Sequence, residues 1–337
     1  MDRFNRTPEK TKWFKKTSQS GALSLLVFLL AGCVPDAPPS AYIDPVSHTA
    51  PPPDGQLVFT TPEQAVDALV TATRADRRDN LLKILGPDAH RIIYSGDKVA
   101  DEQGRTRFVN AYDRAHEIRS DDSDHDTLVV GNEEWPLPIP LVHAKNGWWF
   151  DTTTGKEEIL NRRIGRNELN VLEVCRVYVD AQEEFSALHA HGKHQSEYAQ
   201  HFQSHPGQHD GLYWSAADGE QISPLGPFLA SAAEEGYSSK LLSKRAPYHG
   251  YDYRILKSQG AQASGGVKDY IVDGHMTRGF ALIAFPDRYG DSGVMSFIVN
   301  QDGIIYEKNL GFDTAEIART IREFDPDESW TIVRQLP

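Results

Sequence analysis

Histidine is the side chain best placed to do chemistry in this sequence: His189, His191, His194, His201, His205 and His209 fall within 21 residues. Imidazole nitrogens are good ligands for zinc, copper and nickel. His201 and His205 are four apart, so on one helix they would share a face, as metal-binding pairs do. Pro206 would stop that helix before His209. Gln, Ser and Gly between the histidines describe a solvated connection, and neither an HExxH pattern nor a carboxylate at ligand spacing accompanies them. An exposed polar linker is expected, with His201 and His205 as its metal candidates. A second group is acidic: Asp121, Asp122, Asp124 and Asp126 surround Ser123 and His125. Calcium prefers clustered oxygens, but the Gly and distal Glu of an EF-hand loop are missing, so a solvated loop is the expectation. A third group is aromatic. Trp135, His143, Trp148 and Trp149 are ligand-pocket candidates, because a His in an apolar pocket can act as a general base. Core packing competes with that role, since strand alternation buries one of two adjacent tryptophans in any case. Ser264 lies among Gly260, Gly265 and Gly266 without a nucleophile elbow, and no P-loop or dinucleotide fingerprint is present. No catalytic residue and no cofactor is therefore expected.

Cys33 carries a different chemistry. It follows Arg3, Arg6, Lys10, Lys12, Lys15 and Lys16, then the apolar run from Gly21 to Leu30. That order of charge, apolar core and small residues is a secretory signal, and the core is far short of the roughly 20 residues that span a bilayer. The string Leu30-Ala31-Gly32-Cys33 resembles a bacterial lipobox, whose cysteine thiol receives a diacylglyceryl group after the preceding peptide is lost. Val34 follows where Asp would signal inner-membrane retention, which points to the outer membrane, facing the periplasm. Several acyl chains together give stable attachment, at about 0.8 kcal/mol per buried methylene. Residues 34–56 hold seven prolines among Ala, Ser and Asp, the composition of an extended spacer.

The whole chain has 337 residues and a net charge of −13. Residues 1–32 hold six of the 35 Lys/Arg and two of the 48 Asp/Glu, so the mature part carries −17. Such a surface repels nucleic acid, and no nucleic-acid partner is expected. With Cys33 acylated, Cys175 is left without an intramolecular disulfide partner. It sits in an apolar helical pattern and is expected to be buried and inert.

The elements that must position these groups form an α+β chain in four parts: a signal peptide (1–32), a Pro-rich tether (33–56), an α+β domain (57–153), and a long helix with an antiparallel sheet (154–337). Thr61-Pro62-Glu63-Gln64 predicts a capped helix start, and Asn80 to Leu85 a second helix ending at Gly86-Pro87. A helix is expected around Arg107 to Ile118, a strand at 127–130, and a hairpin in which Leu141-Val142 turns through Lys145-Asn146-Gly147 into Trp148-Trp149-Phe150. Val171, Val174, Cys175, Tyr178, Ala181, Phe185 and Leu188 put one apolar face on a helix from Glu157 to about His191. Strands follow at 251–257, 269–272, 280–285, 294–299 and 304–307, then a helix from Asp313 or Thr314 to Phe324 and a closing strand at 330–333. The first part resembles the cone of the nuclear-transport-factor-two and ketosteroid-isomerase superfamily. The second has the layout of type IV pilins, although its helix is internal and amphipathic.

Seven strings carry a more specific resemblance: Asp210-Gly-Leu-Tyr-Trp214, Ser223-Pro-Leu-Gly-Pro227, Pro247-Tyr-His-Gly-Tyr251, Gly279-Phe-Ala-Leu-Ile-Ala-Phe-Pro286, Tyr289-Gly290, Gly293-Val-Met-Ser-Phe297 and Asp302-Gly-Ile-Ile-Tyr306. They are similar to the bacterial family called domain of unknown function 2950, from about Phe59 to the end. The resemblance implies an exported envelope protein, often a lipoprotein, with no assigned reaction. The leading expectation is a membrane-anchored envelope lipoprotein with a non-enzymatic binding or structural role towards another envelope protein or polymer. Its rivals are a small-ligand-binding or hydrolase/isomerase-like enzyme built on the amino-terminal pocket, and metal sequestration through the His-rich linker.

Overall fold

The computed structural model describes residues 51–190, 196–217, 219–238 and 247–334. Cys33, the signal segment and most of the tether lie outside them, as do His191 and His194. Ser47–Pro337 forms one unit with two principal cores.

The first core is built by four helices and a curved sheet: α1 (Pro62–Arg74), α2 (Arg78–Leu85), the short α3 (His90–Ile93) and α4 (Lys98–Arg114). Thr61 accepts from the Gln64 amide at 3.3 Å and Pro62 opens the first turn, as the capping sequence requires. The strands are β1 (His116–Ser120), β2 (His125–Val130), β3 (Trp135–Pro136), β4 (Leu141–Ala144) and β5 (Gly147–Phe150), antiparallel in the order β1-β2-β4-β5 with β3 beside β2. Ala65, Val66 and Leu69 of α1 meet Leu128, Val130, Leu141 and Phe150 from the sheet. The expected helix at 107–118 is corrected: it runs from Lys98 to Arg114, and Ile118 belongs to a strand. Asp97 supplies the cap, its carboxylate accepting from the Ala100 amide at 3.0 Å.

A 38-residue helix, α5 (Thr152–His189), is about 57 Å long and serves both cores. It starts five residues earlier than expected, because Asp151 caps it through the Thr154 amide and hydroxyl. Ile159 joins the first core, while Val171, Cys175, Tyr178, Ala181 and Phe185 enter the second. After α6 (Gly226–Glu234) the second sheet begins with β6 (Tyr251–Leu256). Short pairs follow at β7 (Ser258–Gln259), β8 (Lys268–Asp269), β9 (Ile271–Val272) and β10 (His275–Met276). The main strands are β11 (Ala281–Pro286), β12 (Met295–Asn300) and β13 (Ile305–Asn309); α7 (Thr314–Thr320) and the edge strand β14 (Thr331–Ile332) close the chain. The sheet order β14-β13-β12-β11-β6 is antiparallel throughout. Contacts from both α5 and α7 leave every residue of β11, which lies between β12 and β6, buried. Tyr178 donates to the Ala281 carbonyl at 3.1 Å and receives a bond from Gln182, which fixes the helix on the sheet. A long helix laid on an antiparallel sheet, in an α+β chain, is the layout the hydrophobic pattern required.

Candidate functional site

Among the described residues, a group of buried and half-buried polar side chains converges around His249, between α4 and the start of the second sheet. Three local features build it. Asp97, at the start of α4, is 4 % exposed. α6 ends at Glu234 with Glu235 as its cap, and after Gly236 the chain turns Tyr237 inward, its amide bonded to the Ala232 carbonyl. Tyr248 and Tyr251 pair with each other across His249 and Gly250, which have φ of +48° and +76°. Positive φ at both central residues is the type I′ pattern, in which a glycine is ordinary at the second position and a histidine at the first stores strain.

These parts are joined by one chain of contacts. One oxygen of Asp97 accepts from the Tyr237 hydroxyl at 2.7 Å and from the Gly250 amide at 3.1 Å, while the other holds the Ala100 cap. His249 Nε2 lies 3.2 Å from a Glu235 carboxylate oxygen, and Nδ1 lies 3.5 Å from the Tyr237 hydroxyl. Gln103, on α4, donates to the Glu235 carbonyl at 2.5 Å. Burial pushes the His249 pKa below its ordinary value, against the opposing pull of the Glu235 and Asp97 carboxylates. Burial, reinforced by Asp97, raises the Tyr237 phenol, and burial, reinforced by Glu235, raises that of Tyr248. Beneath them the Tyr253 hydroxyl is enclosed with no hydrogen-bond partner, and its pKa is driven well above the usual range by burial.

Further bonds lock the same junction. Arg91 pairs with Asp291 and donates to the Gly290 carbonyl at 2.9 Å, Arg288 donates to the Tyr94 carbonyl at 3.2 Å, and Arg163 reaches the carbonyls of Arg91 and Ile92. The His249 ring therefore sits between Glu235 and Tyr237 with both nitrogens turned to protein groups. Such an arrangement positions a turn; the Glu235 side chain is 37 % exposed, while its oxygen nearest His249 is enclosed and makes no hydrogen bond.

The residues singled out by sequence are distributed elsewhere. His143 and Trp148 face each other across β4 and β5 at 4.8 Å between ring centres, but His143 is exposed. Trp149 points to the opposite face and is buried, and Trp135 lies partly exposed under the Arg162 guanidinium. The side of the sheet that faces the helices is filled by Leu128, Ile139, Leu141 and Phe150. The four aromatic candidates thus do not gather around one site. Asp122 spends its carboxylate on His125 and the Asp124 amide, and Asp121 accepts from Thr127. Ser264 is exposed, its carbonyl held by Gln259 at 2.8 Å. Cys175 is 1 % exposed, and desolvation raises its thiol to about 12. His201 and His205 lie exposed on an irregular segment, with their rings 5.3 Å apart. Sequence reasoning did not find His249. The available signal was a His-Gly pair between two tyrosines, the pattern of a tight turn.

The model of the family Protein of unknown function (DUF2950) matches residues 56–333, nearly the whole span in which this junction and both cores are built. The chain belongs to DUF2950. Its match begins at Gln56, the residue whose side chain donates to the carbonyls of Ile84 and Phe150 and so opens the folded body. No curated protein and no solved structure matches the chain. The resemblance to pilins and to nuclear-transport-factor-two cones is not confirmed by any solved structure.

Proposed function

We propose that this DUF2950 protein is a bacterial envelope lipoprotein, anchored through Cys33 to the outer membrane and presenting its body to the periplasm for binding or structural work, not for catalysis. The observation that carries the proposal is Leu30-Ala31-Gly32-Cys33 at the end of a short apolar run, followed directly by a Pro-rich spacer. Among the described residues no helix is long and apolar enough to cross a membrane. The non-enzymatic part rests on how the polar groups are used. At the His249 junction the Asp97 carboxylate is bonded to the Tyr237 hydroxyl and the Gly250 amide, the His249 ring lies against Glu235 and Tyr237, and Arg91 and Arg288 are spent on the backbone carbonyls of Gly290 and Tyr94. Groups committed in this way hold a surface in shape and are poorly placed to exchange protons with a substrate. A protein or glycan partner of the envelope, meeting a body with net charge −17 after cleavage, would need basic or neutral contacts. Cell fractionation tests the anchor: the wild-type chain is expected in the outer-membrane fraction and the Cys33→Ala chain outside it, folded. A Cys33→Ala chain that stays with the membrane would overturn the proposal.

A further inference from the structure

The segment after α5 holds His201 and His205 on a scaffold of backbone bonds. Leu212 donates to the His201 carbonyl at 3.1 Å, Tyr213 to Phe202 at 2.8 Å, and Ser204 to Tyr213 at 2.8 Å. Asp210 grips His205 at two points, one oxygen accepting from its amide at 2.8 Å and the other lying 2.5 Å from Nδ1. That contact places the ring proton on Nδ1 and turns the Nε2 lone pair outward. A carboxylate behind one nitrogen is the support that metal-bound imidazoles have, and it raises ligand basicity. Beside it, the His201 ring has no hydrogen bond among the described residues and faces the His205 ring.

The ring separation fits a shared ion. With zinc–nitrogen bonds of about 2.0–2.1 Å, each imidazole centre stands about 3.2 Å from the metal, and a tetrahedral angle puts the two centres about 5.2 Å apart. Here they are 5.3 Å apart, with planes at 80°. The loop borders a cleft of about 520 Å³ lined by Gln203 to His209 and by Tyr213, Trp214 and Ser215, and His209 stacks on Trp214 at 4.3 Å. Among the described residues no group of three or more His, Cys, Asp and Glu side chains can hold a metal ion. Of His201 and His205, the latter lines that cleft, so an ion held by the pair would have positions open to water or to a small ligand on the cleft side.

We propose that His201 and His205 form an open two-histidine site for a borderline divalent transition metal, zinc, copper or nickel, with Asp210 as a positioning residue that orients His205. The site does not depend on the anchor at Cys33. Titration of detergent-extracted full-length protein with Zn(II) or Cu(II) alone is expected to give one ion per chain. Electron paramagnetic resonance of the wild-type Cu(II) complex is expected to show two imidazole nitrogens, and this readout needs no variant. Joint His201→Ala and His205→Ala substitution is expected to weaken binding more than tenfold, and Asp210→Asn by about 10–100-fold with the circular dichroism spectrum unchanged. Joint substitution of His189, His191 and His194 is expected to leave affinity in place. Fewer than two imidazole nitrogens on copper, or affinity retained without His201 and His205, would overturn the assignment.

Discussion

Replacing Asp97 by alanine removes three contacts from one buried carboxylate. The cap on α4 is worth about 1 kcal/mol. The Tyr237 hydroxyl, on a side chain 6 % exposed, and the Gly250 amide lose their acceptor together, at about 1–3 kcal/mol for each donor left buried and unpaired. These contributions share one side chain and do not simply add, so a loss of about 3–5 kcal/mol is expected. Against a total stability of about 5–15 kcal/mol this is a large fraction. Urea unfolding of the Cys33→Ala protein, followed by tryptophan fluorescence, is the assay, and the midpoint should fall with little change in slope. Tyr237→Phe alone should cost about 1.5–3 kcal/mol, since it removes a bond to a charged group. In a double-mutant cycle the two substitutions should couple by about 0.5–3 kcal/mol. A loss under about 1 kcal/mol for Asp97→Ala, or strict additivity with Tyr237→Phe, would refute the claim that this carboxylate holds the two cores together.

Gly250→Ala should destabilise more than Gly303→Ala. Both glycines have positive φ, which costs alanine about 1–2 kcal/mol, but only at position 250 would the new methyl lie 2.7 Å from Ser292 and 2.8 Å from Asn167, adding about 1–3 kcal/mol of overpacking. The same urea assay separates them, and equal losses would count against the packing term. Because burial lowers the His249 pKa, the unfolded chain binds the proton more readily. Its contribution to stability is present above about pH 6.5 and is lost as pH falls through the depressed folded pKa. His249→Asn, which tolerates the positive φ, should flatten that part of the pH–stability curve; an unchanged curve would remove His249 as its source. Cys175, raised to about 12, has on the order of 10⁻⁴ of its thiol ionised at pH 8, so in the Cys33→Ala protein it should resist thiol reagents until denaturant is added. Rapid labelling of the native protein would contradict its burial.

Strong periodicity and strong capping made much of the fold readable in advance. The α1 cap, the hairpin through Asn146-Gly147, the apolar stripe of α5 and the apolar runs of the second sheet's central strands all carry local signals that agree with their tertiary setting. α4 was misplaced because none of its residues is fully buried, so its stripe is faint and its true start rests on one capping aspartate. α6 carries little signal, because no side chain caps its start and only Leu229 and Ala232 are buried. The junction escaped for a different reason. Asp97, Glu235, Tyr237 and His249 are brought together from positions up to 152 apart by contacts between elements, and no spacing rule links them. The spacing of His201 and His205 points to a shared face only if the segment is helical. The rings do lie together, but on a hydrogen-bonded loop braced by Asp210.

The anchor is tested most directly by mass spectrometry of the mature amino-terminal peptide from membranes. The first residue should be Cys33, carrying the mass of a diacylglyceryl group and any further acyl chain. A mature peptide that begins at another residue, or an unmodified Cys33, would contradict the anchor.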